Sequence, residues 1–286
     1  MIYYAIILVF AFLLSVWLSF GAKTVGFKFG LVSKPRERDI HKKPIPRIGG
    51  VAIFLAFLIT TALVFVFVDR SNGFGHGRIL GLDRSYLGII FGSLVIVGTM
   101  LFDDIRGLPA KWKIFFQIIV ALIAISFGIG IDKLANPFGP TLDLNSVYIP
   151  LITIDNITYH FSLWSDLLTL IWLVGMMNVI NFVDGIDGLA GVVSAIAAGT
   201  IFLLSISMGQ PALAICSIAL LGSILGFLTW NFPPAKLFMG DSGSMFLGYL
   251  LGVMPLISGG KLATAFLVLG FPIVDGLVVA GGRILR

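Results

Sequence analysis

Residues 163–208, LWSDLLTLIWLVGMMNVINFVDGIDGLAGVVSAIAAGTIFLLSISM, decide the fold. Two apolar runs, 163–180 and 190–208, flank a break rich in Asn, Asp and Gly. Each run is close to the roughly 20 residues a helix needs to cross hydrocarbon. That pattern is a pair of spanning helices joined at a membrane face. Working outward, similar runs stand at 2–22, 48–68, 86–102, 113–131, 212–230, 243–258 and 262–281. Only helices and closed barrels satisfy their backbone in lipid, and runs of this length are helical. The sequence therefore predicts an all-α, polytopic transmembrane bundle of nine spans, forming a single integral membrane domain over residues 1–286.

Composition agrees. Hydrophobic residues make up 58% and charged residues 12%, against about 25% charged in soluble domains, and the mean hydropathy is +1.06. The first run has no basic residue before Lys23. A secretory signal opens on a positive segment, so this run is expected to stay as a membrane helix. Cys216 is the one cysteine, which excludes an intramolecular disulfide and leaves a small apolar side chain. The net charge of +5 comes from basic residues gathered beside membrane ends. Anionic lipid head groups or a phosphorylated substrate are the expected partners, and nucleic acid is not.

Orientation follows from where those basic residues fall. If residues 23–47 face the cytoplasm, fourteen Lys and Arg lie on that side and five (Arg70, Arg78, Arg84, Lys133 and Lys261) on the other. The positive-inside rule then sets the N-terminus outside and the C-terminus in the cytoplasm. Of the two longest polar segments, 23–47 is basic; 132–162 alternates β-branched residues around Pro and Asn, the pattern of a small hairpin.

Three polar breaks hold five of the fourteen acidic residues: LFDDIRGLPAKWK at 101–113, NVINFVDGIDGLAG at 178–191 and KLFMGDSGS at 236–244. Carboxylates near lipid are costly and mark ion or substrate paths. By the basic-residue count all three breaks emerge on the cytoplasmic face. Asp103 and Asp104 are adjacent, with Arg106, Lys111 and Lys113 following; such a group can hold a divalent ion or place a phosphate, Lys111 being the point charge. Alone, the pair reads better as a solvated, charge-balanced loop after a helix end. Asn178, Asn181, Asp184 and Asp187 repeat every third residue, which on a helix lines four oxygen-bearing side chains along one face. Hard oxygen ligands suit Mg²⁺, with Mn²⁺ an alternative. Polar contact between helices would explain two of the four. Asp241 opens an apolar run, where a helix N-terminus favours anions, and Phe238 offers a face for a base or a membrane anchor. The loop SKPRERDIHKKPIPRIGG at 33–50, which carries His41 and Arg47, reads either as a contact for an anionic lipid or nucleotide phosphate or as a basic patch that sets topology and by itself explains the charges.

In this order, PRERDIHKKPIPRIGG, FDDIRGLPAKWK, NVINFVDGIDGLAG and FMGDSGS resemble the polyprenyl-phosphate N-acetylhexosamine-1-phosphate transferases, from about residue 33 to the end. The resemblance implies transfer of a sugar-1-phosphate from a UDP-sugar to undecaprenyl phosphate, with release of UMP, at the cytoplasmic face of the plasma (inner) membrane. Asp241 then matches a Mg²⁺ ligand and Asn181 its partner. Asp187 matches a residue at the uracil and Phe238 one that stacks on it. Asp103 and Asp104 match an acidic pair near the lipid phosphate, Lys111 meets phosphate, and Asp184 joins the catalytic face, with Asn178, His41 and Arg47 on the substrate side. A homodimer is compatible with this picture. The IPRIGG ending looks more like the N-acetylglucosamine branch than the phospho-N-acetylmuramoyl-pentapeptide branch. Family members usually continue past a segment like PIVDGLVVAGGRILR into a loop with several His and Arg residues that helps hold the diphosphate, and a grip of that kind is not expected from a sequence ending at Arg286.

Two other classes compete. An ion-coupled carrier needs acids deep within spans, where Asp275 is the one candidate, and a lipid-binding scaffold leaves the Asn and Asp register without purpose. The orientation is directly testable. In a Cys216-free background, single cysteines at positions 42 and 236 should react with impermeant thiol reagent from the cytoplasmic side only, and those at 78 and 133 from the outside only. Opposite sides for 42 and 236 would refute the topology.

Overall fold

The computed structural model of the protein describes residues 1–33, 44–68, 82–134, 141–146, 148–154 and 157–258, together with residues 74, 78, 79 and 270. Eight helices order them: α1 (Ile2–Lys28), α2 (Gly49–Leu63, continued by a π turn at Val64–Val68), α3 (Arg84–Arg106), α4 (Ala110–Ser126), α5 (Leu163–Val183), α6 (Leu189–Ser207), α7 (Pro211–Asn231) and α8 (Gly240–Ile257). They correspond to eight of the nine expected runs; the ninth, 262–281, lies outside the described residues. Six of the eight are long and apolar enough to cross a membrane. The other two are α4, whose 17 residues reach about 26 Å against a hydrocarbon layer of about 30 Å, and α8, whose opening Gly240, Asp241, Ser242, Gly243 and Ser244 dilute its apolar length. The protein is thus an all-α, polytopic membrane protein.

Local chemistry sets the helix ends. The carboxylate of Asp83 accepts from the Ser85 N–H at 2.9 Å and starts α3. Gly107, with φ +75°, ends it, and Pro109 introduces α4. In α5 the first-turn Asp166 accepts from the Ser162 N–H at 2.9 Å, a reach back across the first turn that satisfies an otherwise orphaned donor. α7 opens on Pro211, which lacks the N–H that the first turn could not have used.

α8 sits at the centre. Every residue from Ser242 to Ile257 is buried, and α2, α3 and α5 pack around it. α7 is buried along most of its length between α1, α2 and α6. A helix apolar on all sides belongs in such an interior. α1 instead buries Ile7, Ala11, Ser15, Ser19 and Gly26 and exposes Leu13, Trp17 and Phe20. It extends past the expected 2–22 to Lys28, and the Lys23 ammonium lies 5.1 Å over the Trp230 ring, the posture of a lysine reaching from an apolar stem toward the interface.

Small residues let the central backbones approach, as membrane helices require when water supplies no drive between them. Gly50 of α2 lies directly against Gly243 of α8, and Gly248 against Met176 and Met177 of α5. The Tyr249 hydroxyl, seated against Gly92, donates to the Gly88 carbonyl at 2.9 Å, and Trp172 Nε1 donates to the Gly252 carbonyl at 3.0 Å. The expected hairpin is present: Tyr148–Ile154 runs antiparallel to Ile157–Ser162. At the other end Val32–Ser33 pairs with Ile45–Pro46, bringing together the two ends of the basic segment.

These contacts predict opposite outcomes for two glycines. A Cβ at Gly248 would stand 2.6 Å from the Met176 carbonyl oxygen and the Met177 Cα, whereas one at Gly175 meets nothing within 4 Å. Gly248→Leu should destabilise by about 1–3 kcal/mol or more, and Gly175→Ala should stabilise by up to about 1 kcal/mol. Thermal unfolding of the detergent-purified variants checks both signs.

Candidate active site

The site forms where the C-terminal end of α3 meets the N-terminus of α8. A helix N-terminus carries unpaired N–H groups and partial positive charge. Here Asp104, only 7% exposed, supplies the partner: the Asp241 N–H donates to its Oδ1 at 3.0 Å and the Ser242 N–H to its Oδ2 at 3.1 Å. The Arg47 guanidinium approaches the same Oδ1 at 3.4 Å. Gly240 makes this possible. Its φ is +75°, and a Cβ there would collide with the Arg47 carbonyl and stand 2.7 Å from Asp104 Oδ2, so conformation and space both demand glycine.

Asp103, 4% exposed, accepts from the Leu108 N–H through Oδ1. Its Oδ2 meets the Lys113 ammonium at 2.6 Å, and the same ammonium lies 2.7 Å from Asp241 Oδ2. The cation inside the cluster is therefore Lys113. Lys111, expected to meet phosphate, is exposed. Two residues apart on a helix are about 200° apart in direction, so one of the two lysines faces the cluster and the other turns away.

The every-third-residue face of 178–187 holds only in part. Gly185 and the left-handed Gly188, φ +77°, end the helix early, leaving Asp184 as the C-cap of α5 and Asp187 in the turn beyond. Asn181 Nδ2 donates to Asp241 Oδ1 at 3.2 Å and to Ser244 Oγ at 2.9 Å. Its nitrogen faces the carboxylate; as a ligand it would present the other end of the amide. Asn178 pairs with Gln117, one turn deeper. Asp187 Oδ2 accepts from the Ala235 N–H at 3.0 Å, tying the 184–188 turn to the 232–239 loop. Phe238, partly buried in that loop, is held through its backbone: its N–H donates to the Pro46 carbonyl at 2.8 Å and its carbonyl accepts from the Gly49 N–H at 2.9 Å. The Gly50 N–H donates to the Met239 carbonyl at 2.8 Å, so IPRIGG and FMGDSGS are laced together. His41 lies outside the described residues.

Two contributors were not singled out by sequence reasoning. One is Lys113, named there only as one of three cations beside the acidic pair. The other is Asn231, a buried polar residue ending α7: its Nδ2 donates to the Leu237 carbonyl at 2.9 Å and its Oδ1 accepts from the Gly188 N–H at 3.0 Å. An Asn closing an otherwise apolar run was the available signal.

Electrostatics divide the acids. Burial alone would raise the Asp241 carboxyl, but the Lys113 ammonium bonded to it, helped by Asn181, brings it below the ordinary carboxylate range. Asp184 is raised well above that range, first by burial and then by the Asp241, Asp104 and Asp187 charges. Environments that push neighbouring carboxyls apart are typical of functional sites. The residues also fit a divalent cation. Oxygens of Asp103, Asp104 and Asp241 lie within 4.8 Å of one another, a hard donor set, and an ammonium already bridges two of them as a cation would.

Comparison with known proteins identifies the family. Residues 86–259 match the family model described as glycosyl transferase family 4. The chain is 31% identical over 272 residues to a probable undecaprenyl-phosphate N-acetylglucosaminyl 1-phosphate transferase of Bacillus subtilis, covering 92% of this chain and 67% of that one. It is 32% identical over 249 residues to a decaprenyl-phosphate N-acetylglucosaminephosphotransferase of Mycolicibacterium smegmatis, covering 84% of this chain and 56% of that one. A phospho-N-acetylmuramoyl-pentapeptide-transferase of Staphylococcus aureus is 29% identical over 248 residues, 86% of this chain and 73% of its own length. The chain thus spans about two-thirds of the Bacillus protein and just over half of the mycobacterial one. With the family model covering well over half its residues, the chain belongs to glycosyl transferase family 4.

Proposed function

We propose that the protein is a membrane enzyme that transfers a sugar-1-phosphate, N-acetylglucosamine-1-phosphate in the leading assignment, from a UDP-sugar to undecaprenyl phosphate, releasing UMP. The observation that carries this reading is the convergence of Asp103, Asp104, Asp241, Lys113 and Arg47, drawn from three separated motifs, on the N-terminus of α8. The transferase names of the relatives support it. The site is assigned to the cytoplasmic face, in keeping with the basic-residue asymmetry. The S. aureus relative favours a second reading, a phospho-N-acetylmuramoyl-pentapeptide-type reaction.

The acceptor is a phosphate monoester with a second pKa near 6, largely dianionic at neutral pH. It needs little help from a base, and the acids are poorly placed to give it: both oxygens of Asp103 and of Asp104 already accept hydrogen bonds or ion pairs. The same engagement makes them weak nucleophiles, which favours direct in-line transfer over an aspartyl-phosphate path. What the reaction requires is charge neutralisation and alignment of two phosphates. Arg47 keeps a side chain 38% exposed and Lys113 one 26% exposed, so each combines a fixed carboxylate partner with an open side toward an arriving diphosphate. Mg²⁺ or Mn²⁺, held by Asp241 with Asp103, Asp104 and the Asn181 amide oxygen, would neutralise phosphate charge when bound. Phe238 and Asp187, in adjoining loops, are assigned to the uridine.

Asp241→Ala should abolish UMP release from UDP-N-acetylglucosamine and undecaprenyl phosphate while the variant still purifies as a folded species. Full turnover of that variant in excess chelator would rule out the metal assignment.

Nucleotide and lipid-phosphate roles separate by titration. Phe238→Ala and Asp187→Ala should each weaken UMP binding by about ten- to a hundredfold, the loss of a stacking contact or a charged hydrogen bond worth roughly 1–3 kcal/mol. Asp103→Asn should lower turnover and leave UMP affinity nearly unchanged. Calorimetry giving the reverse pattern would overturn the assignment.

A further inference from the structure

One helical turn beneath the cluster lies a second polar layer that the proposed reaction does not use. Gln117 follows Lys113 by four residues on α4, Asn178 precedes Asn181 by three on α5, and Met245 follows Asp241 by four on α8. Residues so spaced share a helix face, so each member of this layer sits directly below a member of the site. Gln117 touches both of the others. Asn178 Nδ2 donates to Gln117 Oε1 at 2.8 Å, while Gln117 Nε2 donates to Asn178 Oδ1 at 3.3 Å and contacts Met245 Sδ at 3.4 Å. Gln117 is 1% exposed and Met245 2%.

We propose that Gln117 is a positioning residue: its amide pair with Asn178, closed by Met245, fixes the rotation and depth of α4 against α5 and α8, and so the placement of Lys113 between Asp103 and Asp241. The choice of a buried amide is informative. An apolar side chain would fill the same volume at no desolvation penalty, so a two-way amide pair is retained for what it specifies. Its two hydrogen bonds are satisfied only in one relative register of the helices. A slip or rotation of α4 that broke them would swing Lys113 out of the cluster as well, because the two side chains share one face.

The inference rests on the reading of the cluster as a phosphotransfer site, and its test has one arm that does not. Gln117→Met keeps volume and flexibility and removes the amide. In a Cys216→Ala background, nitroxide labels on Ala110→Cys and Gly175→Cys, both at exposed positions, report the α4 to α5 spacing by pulsed electron resonance. The distance distribution should be narrow in the parent and broad or shifted with Gln117→Met. In the unlabelled enzyme, Gln117→Met should lower kcat by about tenfold or more, as small misplacements of catalytic groups do, and leave the KM for UDP-N-acetylglucosamine within about twofold. The exchanged pair Gln117→Asn with Asn178→Gln, which can rebuild the two-way bond, should recover both readouts in part. An unchanged distance distribution in Gln117→Met overturns the proposal whatever its turnover, as does unchanged kcat in an active parent. A broadened distribution in a parent that transfers no sugar-phosphate would uphold the positioning role and remove the functional reading.

Discussion

The carboxylate of Asp104, buried against the first N–H groups of α8, is the contact on which the site depends. It joins the end of one helix to the start of another through both of its oxygens, and an arginine from a third segment meets one of them. A helix N-terminus offers a carboxylate unpaired N–H donors and partial positive charge. The effect of the contact is geometric: with Asp104 fixed on α8, its neighbour Asp103 and the adjacent Asp241 fall within reach of one ammonium. Gly240 is the condition for it, since no other residue adopts that backbone without displacing Arg47 or Asp104.

The rest of the bundle serves this junction. α8 is central and shielded on all sides, so its N-terminus is held at a defined depth. Gly50, Gly243 and Gly248 bring α2 and α5 close enough to hold it there. The backbone lacing of Phe238 and Met239 to residues 46–50 then fixes the loop leading into α8. Charged groups tolerated near lipid in this way are paired and confined to one end, which is the physical reason the polar breaks of the sequence end up together.

Much of this was legible in the sequence, because the two strongest signals are long range in effect but local in pattern. Apolar runs of spanning length identified eight of the helices, and Pro, Asn and alternating β-branched residues marked the hairpin. Asp103, Asp104 and Asp241 stood out as acids beside greasy segments. What could not be read was direction around a helix near its ends. Lys111 and Lys113 are indistinguishable until the start of α4 at Ala110 fixes which faces inward. The regular spacing of Asn178 to Asp187 suggested one continuous face, but Gly185 and Gly188 stop the helix between Asp184 and Asp187. Gln117 and Asn231 were missed because a lone amide in an apolar run has no partner until the helices are packed.

In the proposed reaction the bond broken joins the two phosphates of the UDP-sugar, not the sugar to its phosphate. One measurement separates those outcomes. With UDP-N-acetylglucosamine labelled at the β-phosphorus, the purified protein, undecaprenyl phosphate and Mg²⁺, the label should move entirely into the lipid fraction as a diphosphate-linked sugar while unlabelled UMP is released. Label appearing in free UDP, with sugar alone on the lipid, would contradict the account.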